Sequence, residues 1–361
     1  MSETVVVGMS GGVDSSVAAY LLKQQGYDVI GVTMQVWQDT DACSMERKGG
    51  CCGVSAVEDA RRVCRKIGIP YYVMNFREEF HKNVIDYFIR EYKQGHTPNP
   101  CIECNRRVKW ECLLRRSMEI GADKIATGHY ARVVKLPNGR YSIALSKTAR
   151  KDQTYALYSL SQEQLAHTIM PIGDYEKSEV RKIAEEAGLP VANKPDSQEI
   201  CFVADDDHAG YIERETGEKL IPGNFVDRDG VILGRHKGIE YYTIGQRKGL
   251  GIALGHPVYV SEIRPETNEV VLGEEDEIFT DTLTADRINL MGVDVFRPGE
   301  RYKTKIRYSD PGTMCTVMSF DPEDGGRLVL KFDKAVRAVT PGQAAVLYKE
   351  NITAGGGTII K

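Results

Sequence analysis

Thr4-Val5-Val6-Val7-Gly8-Met9-Ser10-Gly11-Gly12-Val13-Asp14-Ser15-Ser16 is the stretch that decides the architecture. Its apolar, β-branched start reads as a buried strand. The run breaks into small residues and restarts as Val17-Ala18-Ala19-Tyr20-Leu21-Leu22, apolar at helical spacing. A strand, a Gly/Ser turn and a helix collect backbone N–H groups and the positive helix end at one point, which makes an anion cradle. Gly11 and Gly12 let the backbone approach a phosphate closely, and Ser10 and Ser15 add hydroxyl donors. Asp14 alone would repel phosphate, so its place is to hold a metal ion or to orient the loop. An ordinary β–α turn accounts for the glycines but not for Ser-Gly-Gly-Val-Asp-Ser as a set. No Gly-Lys-Ser/Thr follows, so the stretch is neither a Walker loop nor Gly-x-Gly-x-x-Gly.

Outward from this loop, residues 4 to about 205 alternate strand and helix. Strands are expected at Thr4–Val7, Val29–Met34, Tyr71–Asn75 and Lys124–Thr127, and helices at Ser16–Gln25, Ala56–Ile67, Glu79–Lys93 and Lys109–Ile120. Such alternation means a parallel sheet wrapped by helices, with ligands at the C-terminal strand edge. The Ser10 loop, Met34 and Gly128-His129 are expected to converge there. After Phe202 the texture changes to short β runs with Gly, Asp and Asn turns, over Phe225–Gly234 and Tyr241–Gly251. Val258–Ile263 and Glu269–Leu272 read as a hairpin around Pro265-Glu266-Thr267-Asn268. Further strands are expected at Arg301–Tyr308, Met314–Ser319, Arg327–Phe332 and Ala344–Lys349, in a small β-barrel. The expected fold is α/β: a parallel-sheet nucleotide-binding domain over 1–205, a β-rich central domain over 206–278 and a C-terminal barrel over 279–361.

The chain has 361 residues, 42% hydrophobic and 27% charged, the composition of an ordinary soluble protein with two or three domains. No apolar run approaches the ~18 residues a membrane span needs. The first strand begins almost at the N-terminus, and a cytoplasmic enzyme is expected. The net charge of −4 does not advertise nucleic acid, but local patches decide phosphate binding.

Nine cysteines without a secretion signal point to thiol chemistry or metal rather than disulfides. The informative group lies in Thr97-Pro98-Asn99-Pro100-Cys101-Ile102-Glu103-Cys104-Asn105, with Cys104 expected to precede the helix near Lys109. Arg106, Arg107, Lys109, Arg115 and Arg116 surround it, with Glu111 the main acid. Cationic surroundings and a helix N-terminus favour a thiolate and attract an RNA backbone. Cys201 lies at the end of the α/β region, in Asp196-Ser197-Gln198-Glu199-Ile200-Cys201-Phe202. Half of a structural zinc site is the plain alternative for Cys-x-x-Cys, but no second spaced pair completes it. Cys64 and Cys112 fall on amphipathic helices and read as core.

Ser-Gly-Gly-Val-Asp-Ser, Thr97-Pro98-Asn99-Pro100 with Cys104-Asn105, Ala126-Thr127-Gly128-His129-Tyr130-Ala131, Lys151-Asp152-Gln153-Thr154-Tyr155, Cys201-Phe202 and Tyr242-Thr243-Ile244-Gly245-Gln246-Arg247-Lys248-Gly249-Leu250-Gly251 occur together and in order. In this the chain resembles, over essentially its whole length, the tRNA 2-thiouridylase family of the PP-loop ATP pyrophosphatase superfamily. The resemblance implies 2-thiolation of the wobble uridine in the tRNAs for lysine, glutamate and glutamine, with ATP and Mg2+ adenylating the C2 oxygen. It implies that Gly8, Met9, Ser10, Gly11, Gly12, Val13, Asp14 and Ser15 hold ATP, with Met34 and Gly128. Asn99, Pro100 and Cys101 would line the target base; His129, Lys151, Asp152, Gln153, Arg307, Tyr308 and Gln343 would contact tRNA. Cys104 matches the nucleophile and Cys201 the persulfide carrier, loaded by a cysteine desulfurase or a sulfur-relay protein. Cys101 stands where many members carry Asp, and it opens a second route, a 4Fe–4S cluster held by Cys101, Cys104 and Cys201. Another PP-loop tRNA-modifying or amide-forming synthetase needs no such cysteine set. A non-catalytic RNA-binding protein with a zinc knuckle would not need the nucleotide loop.

Overall fold

The structure is a computed structural model that describes residues 2–36, 54–148, 151–195, 200–203 and 205–361. Cys43, Cys51, Cys52 and the Asp196–Glu199 segment lie outside the described residues. The chain divides into two compact units, one of Met1–Ile85, Cys101–Ala204 and Asn351–Thr353, the other of Asp86–Pro100, Asp205–Glu350 and Ala354–Lys361.

The first unit is built on β1 (Thr4–Gly8), whose Val5, Val6 and Val7 are fully buried. Next come α1 (Val13–Gln24), β2 (Asp28–Gln35), α2 (Val54–Ile67) and β3 (Tyr71–Asn75). After α3 (Arg77–Phe80) a wide π-turn spans His81–Ile85, and α4 (Asp86–Lys93) opens the first segment of the second unit. The chain then forms α5 (Pro100–Glu103), a π-helical segment Cys104–Leu113, α6 (Leu114–Glu119) and β4 (Lys124–Ala126). An antiparallel hairpin of β5 (Ala131–Lys135) and β6 (Tyr141–Leu145) follows, then α7 (Gln162–Ala166), β7 (Thr168–Ile169) and α8 (Lys177–Glu186). The sheet is parallel throughout, in the order β3-β2-β1-β4-β7. The chain runs outward one way through β2 and β3 and the other way through β4 and β7. Its switch point is therefore between β1 and β4, the place where open α/β sheets bind ligands.

Two expectations need correction here. Helical structure around the cysteine pair starts at Pro100 rather than near Lys109. Proline is pre-organised for the first helical position, where its missing N–H costs nothing, so Pro100 starts the helix instead of closing the loop. The β5–β6 hairpin falls where only sheet and helix alternation is expected; its turn, with Gly139 at φ +83°, is an Asn138-Gly139 pair.

In the second unit α9 (His208–Thr216) follows Phe202, where helical structure is expected to have ended. Asp207 caps it, its side chain accepting from the Gly210 N–H at 2.9 Å. β8 (Gly223–Val226), β9 (Ile232–His236), β10 (Tyr259–Arg264) and β11 (Glu269–Gly273) form a sheet in the order β10-β11-β8-β9 around Phe225, Tyr242, Val260 and Val270. β10 and β11 are the expected hairpin. Tyr241–Gly251 holds no strand, because Gly245, Gly249 and Gly251 all take positive φ and turn the chain repeatedly. The barrel runs β12 (Phe279–Leu290), β13 (Arg301–Lys305), β14 (Thr313–Asp321), β15 (Arg327–Arg337), β16 (Ala344–Lys349) and β17 (Ile352–Ile359). Its order is β12-β15-β14-β13-β16-β17, closed by β12 pairing with β17 around Leu283, Phe296, Tyr302, Leu330 and Leu347.

Candidate active site

In the first unit the Ser10 loop connects β1 to α1. The Met9 N–H bonds the Val32 carbonyl at 2.8 Å, and the Met9 carbonyl accepts from Thr33 Oγ1 at 2.8 Å. Tyr71 steadies Thr33 by donating its hydroxyl at 2.8 Å. Gly11 takes φ +67°, and a Cβ on it would lie 2.3 Å from the Ala56 carbonyl oxygen. Gly12 is the N-cap residue of α1, and no side chain caps the helix. The first-turn N–H groups thus lack the side-chain acceptor that most helices supply. Ser15 Oγ accepts from the Ser10 N–H at 3.2 Å and lies 3.1 Å from Ser10 Oγ, placing both hydroxyls together at the loop. This is a cradle of donors.

Gly128, just after β4, faces the same point: a Cβ there would fall 2.5 Å from the Ser15 nitrogen. Met34 is half-buried near the end of β2, paired with Met74. Because Gly8 pairs with Val32, Met34 lies two residues beyond the end of β1, at the sheet's C-terminal edge. His129 is half-buried; its Nδ1 is 2.7 Å from Thr127 Oγ1 and its ring stands against Trp110 at 5.5 Å. Burial, and then the Lys109 cation, hold its pKa well below the ordinary histidine value, so the ring is neutral.

Lys151, Asp152 and Gln153 follow the hairpin. Asp152 Oδ2 accepts from the Ser146 N–H at 2.9 Å, and its Oδ1 accepts from the Thr154 N–H and hydroxyl. Gln153 exchanges two bonds with Tyr130, its Oε1 accepting at 2.9 Å and its N–H donating to the Tyr130 carbonyl at 3.0 Å. These side chains tie the hairpin to the chain just beyond β4.

Cys101 is exposed, while Cys104 and Cys201 are half-buried. Cys104 opens the π-helical segment that carries Lys109, Trp110 and Leu113. Leu113 Cδ2 would touch a Cβ at Gly8 at 3.8 Å, so this helix packs against the end of β1 from which the cradle springs. Phe202, next to Cys201, meets Phe80 edge-on at 5.8 Å, and α3, which carries Phe80, packs on the same segment. The cations around Cys104 are largely neutralised: Arg107 pairs with Glu103 at 3.8 Å and Glu111 at 3.1 Å, Arg115 with Glu119 at 3.9 Å, and Arg116 with Glu79. Four acids, rather than Glu111 chiefly, balance the patch. No three His, Cys, Asp or Glu side chains among the described residues are grouped as a metal ion requires. Cys64 and Cys112 are buried in the core, which pushes the Cys64 thiol up to about 12 and raises that of Cys112.

In the second unit, Asn99 and Pro100 end a segment held at Thr97. The Thr97 N–H donates to the Pro341 carbonyl, and Gln343 Nε2 donates to the Thr97 carbonyl, both at 2.8 Å. Gln343 thus grips the loop that leads to Cys101. Arg307 and the exposed Tyr308 lie in the turn after β13, where Asp310 Oδ2 accepts from the Ile306 N–H at 3.0 Å.

Three residues at the cradle, Lys177, Lys194 and Asp59, carry no local signal in the sequence, and the part of Tyr130, seen only within a motif, is set by the fold. Lys177 Nζ donates to both Asp14 oxygens at 2.7 and 2.9 Å, and the Tyr130 hydroxyl donates to Asp14 Oδ1 at 2.8 Å. Lys194 Nζ donates to the Gly11 carbonyl at 3.0 Å and to Asp59 at 2.7 Å. Only the fold brings them to the loop.

A parallel sheet with a serine-glycine cradle at its switch point defines the first unit as an α/β nucleotide-binding domain of the PP-loop class. Three family models match in succession: a tRNA methyl transferase HUP domain over residues 3–205, a tRNA methyl transferase PRC-barrel domain over 209–274 and an aminomethyltransferase beta-barrel domain over 280–359. The protein called tRNA-specific 2-thiouridylase MnmA in Lachnoclostridium phytofermentans is 64% identical, covering 99% of both chains. Those of Clostridium kluyveri and Clostridioides difficile are 56% and 55% identical, covering 99% and 100% of this chain and 99% of each relative. The chain belongs to the tRNA-specific 2-thiouridylase family.

Proposed function

We propose that this protein is a tRNA-uridine 2-sulfurtransferase that thiolates the wobble uridine of the tRNAs for lysine, glutamate and glutamine. The observation that carries the reading is the end-to-end likeness to proteins of that name. The working division is a catalytic domain over 1–205, a central domain over 206–278 and a tRNA-contacting barrel over 279–361. Among the described residues no helix is long and apolar enough to cross a membrane, and a cytoplasmic setting suits a tRNA substrate.

ATP would sit with its phosphates on Gly8–Ser15 and its nucleoside against Met34 and Gly128. Mg2+ would travel on the phosphates, since Asp14 is already engaged by Lys177 and Tyr130. A flipped uridine would lie against Asn99, Pro100 and Cys101, with the tRNA along His129, Lys151, Asp152, Gln153, Arg307, Tyr308 and Gln343. Adenylation of the C2 oxygen releases pyrophosphate and makes AMP the leaving group. A persulfide on Cys201, charged by a cysteine desulfurase or relay protein, then attacks C2 through its terminal sulfur and AMP departs. The Cys104 thiolate attacks Cys201 Sγ, so the sulfur–sulfur bond breaks, 2-thiouridine leaves and a Cys104–Cys201 disulfide remains. A 4Fe–4S cluster held by Cys101, Cys104 and Cys201 would be the alternative sulfur carrier and would give the same product.

The test is Cys104→Ser and Cys201→Ser, assayed for 2-thiouridine by mass spectrometry with a persulfide donor and no added sulfide. Each should abolish thiolation while tRNA binding and AMP formation persist. Wild-type thiolation in either variant would defeat the reading.

A further inference from the structure

Asp14 sets the cradle an electrostatic problem. Its carboxylate stands in the first turn of α1, where a polyphosphate would lie, and like charges at that range repel. The structure holds a counterweight. Lys177, the first residue of α8, brings its ammonium to both carboxylate oxygens, and the Tyr130 hydroxyl adds a third bond. The Lys177 side chain is 16% exposed and packs over the Tyr130 ring, so it is held in place. Lys194 acts on the loop backbone instead. Its ammonium is braced by Asp59 and bonds the Gly11 carbonyl. A trans peptide points its C=O and N–H in opposite directions, so holding the Gly11 carbonyl aims the Gly12 N–H away from Lys194. Gly11, at φ +67°, is the residue whose backbone needs such fixing.

We propose that Lys177 and Lys194 are the positioning residues that make the Ser10–Ser15 loop accept a polyphosphate. Lys177 cancels the Asp14 charge, and Lys194 fixes the direction of the Gly12 N–H. The proposal rests on reading the loop as the ATP site and adds two residues to it, neither of them in the Ser-Gly-Gly-Val-Asp-Ser stretch.

The probe is inorganic pyrophosphate, titrated calorimetrically into the full-length chain, with the thermal midpoint of each variant as the check on folding. Lys177→Met should weaken pyrophosphate binding about tenfold or more, the loss expected for one charge-assisted contact. Lys177→Arg should bind as the wild type does. Adding Asp14→Asn to Lys177→Met should recover most of the loss, because the charge that needed cancelling is gone; a purely structural lysine would not be rescued so. Lys194→Met should weaken binding and Lys194→Arg restore it. Wild-type affinity in both methionine variants, or no recovery in the double variant, overturns the proposal. If Lys177→Met does not fold, Lys177→Arg and the double variant decide the matter. Failure of the wild type to release pyrophosphate from ATP with tRNA would instead overturn the functional reading, and that result is distinguishable because it appears before any lysine is changed.

Discussion

Gly11 is the residue with least freedom at the cradle. A methyl group there would meet the Ala56 carbonyl at 2.3 Å, and φ +67° disfavours any L side chain. Gly11→Ala should therefore lower stability by about 1–3 kcal/mol and abolish AMP formation; calorimetry and AMP release measure the two. His129 makes a pH prediction. Its ordinary value is 6.5, and burial with the nearby Lys109 cation keeps it well below that in the fold. Above 6.5 both folded and unfolded chains hold it neutral. As the pH falls below 6.5 the unfolded chain takes up a proton that the fold refuses, so stability is full above that value and is lost on acidification. His129→Asn should flatten the fall in thermal midpoint between about pH 7.5 and about pH 5, and an unchanged slope would show that other groups govern it. The cradle's glycines and serines were legible because their chemistry is local. Lys177 and Lys194 were not, since they lie 163 and 183 residues from the atoms they hold.

Elements were legible where burial imposes a period. β1 and β2 are apolar runs between turn residues and came out within a residue or two of their ends. β3 did so too although none of its residues is buried, because Tyr71-Tyr72-Val73 are strand formers by type. The helix at Pro100 was read late because two prolines look like a loop until one is seen to sit at a helix start. β12 and β17 escaped for a different reason. In β17, Ala354-Gly355-Gly356-Gly357 has almost no side-chain pattern, yet every residue from Thr353 to Gly357 is buried. A Cβ at Gly357 would strike Ile288 Cδ1 at 2.3 Å, so close strand contact demands the glycines that hide the strand. The start of β17 also completes the first unit. Ile352 pairs with Ala144, the Leu145 N–H donates to the Asn351 carbonyl at 2.8 Å, and Ser142 Oγ donates to the Thr353 carbonyl at 2.6 Å. A chain ending at Ala204 would leave β6, with Ser142, Ile143 and Ala144 all buried, as a bare edge. It should bind ATP poorly and self-associate, whereas adding a peptide of residues 349–355 should reduce association, as sedimentation would show. A monomeric truncated chain with unchanged stability would contradict this role for β17.

At the scale of the whole molecule, a protein of net charge −4 has to attract a polyanion many times its charge. Average charge does not decide the matter, because each phosphate neutralised by a cation releases a counterion, and only cations not already satisfied by the protein can do this at full effect. The patch around Cys104 separates the two kinds. Arg107, Arg115 and Arg116 are paired with Glu103, Glu111, Glu119 and Glu79. Arg106 has no ion pair among the described residues, and neither does Arg307 in the turn after β13. The electrostatic contribution to tRNA affinity should therefore come from Arg106 and Arg307 far more than from the three paired arginines. Arg106→Ala and Arg307→Ala should each reduce the slope of log affinity against log salt by roughly 0.7–0.9, while Arg115→Ala, which also removes the charge that offsets Glu119, should change it by less than half as much. Filter binding across a salt series measures all three slopes. Equal slopes for the paired and unpaired arginines would mean that the ion pairs open on binding, and that local pairing does not choose which cations meet the RNA.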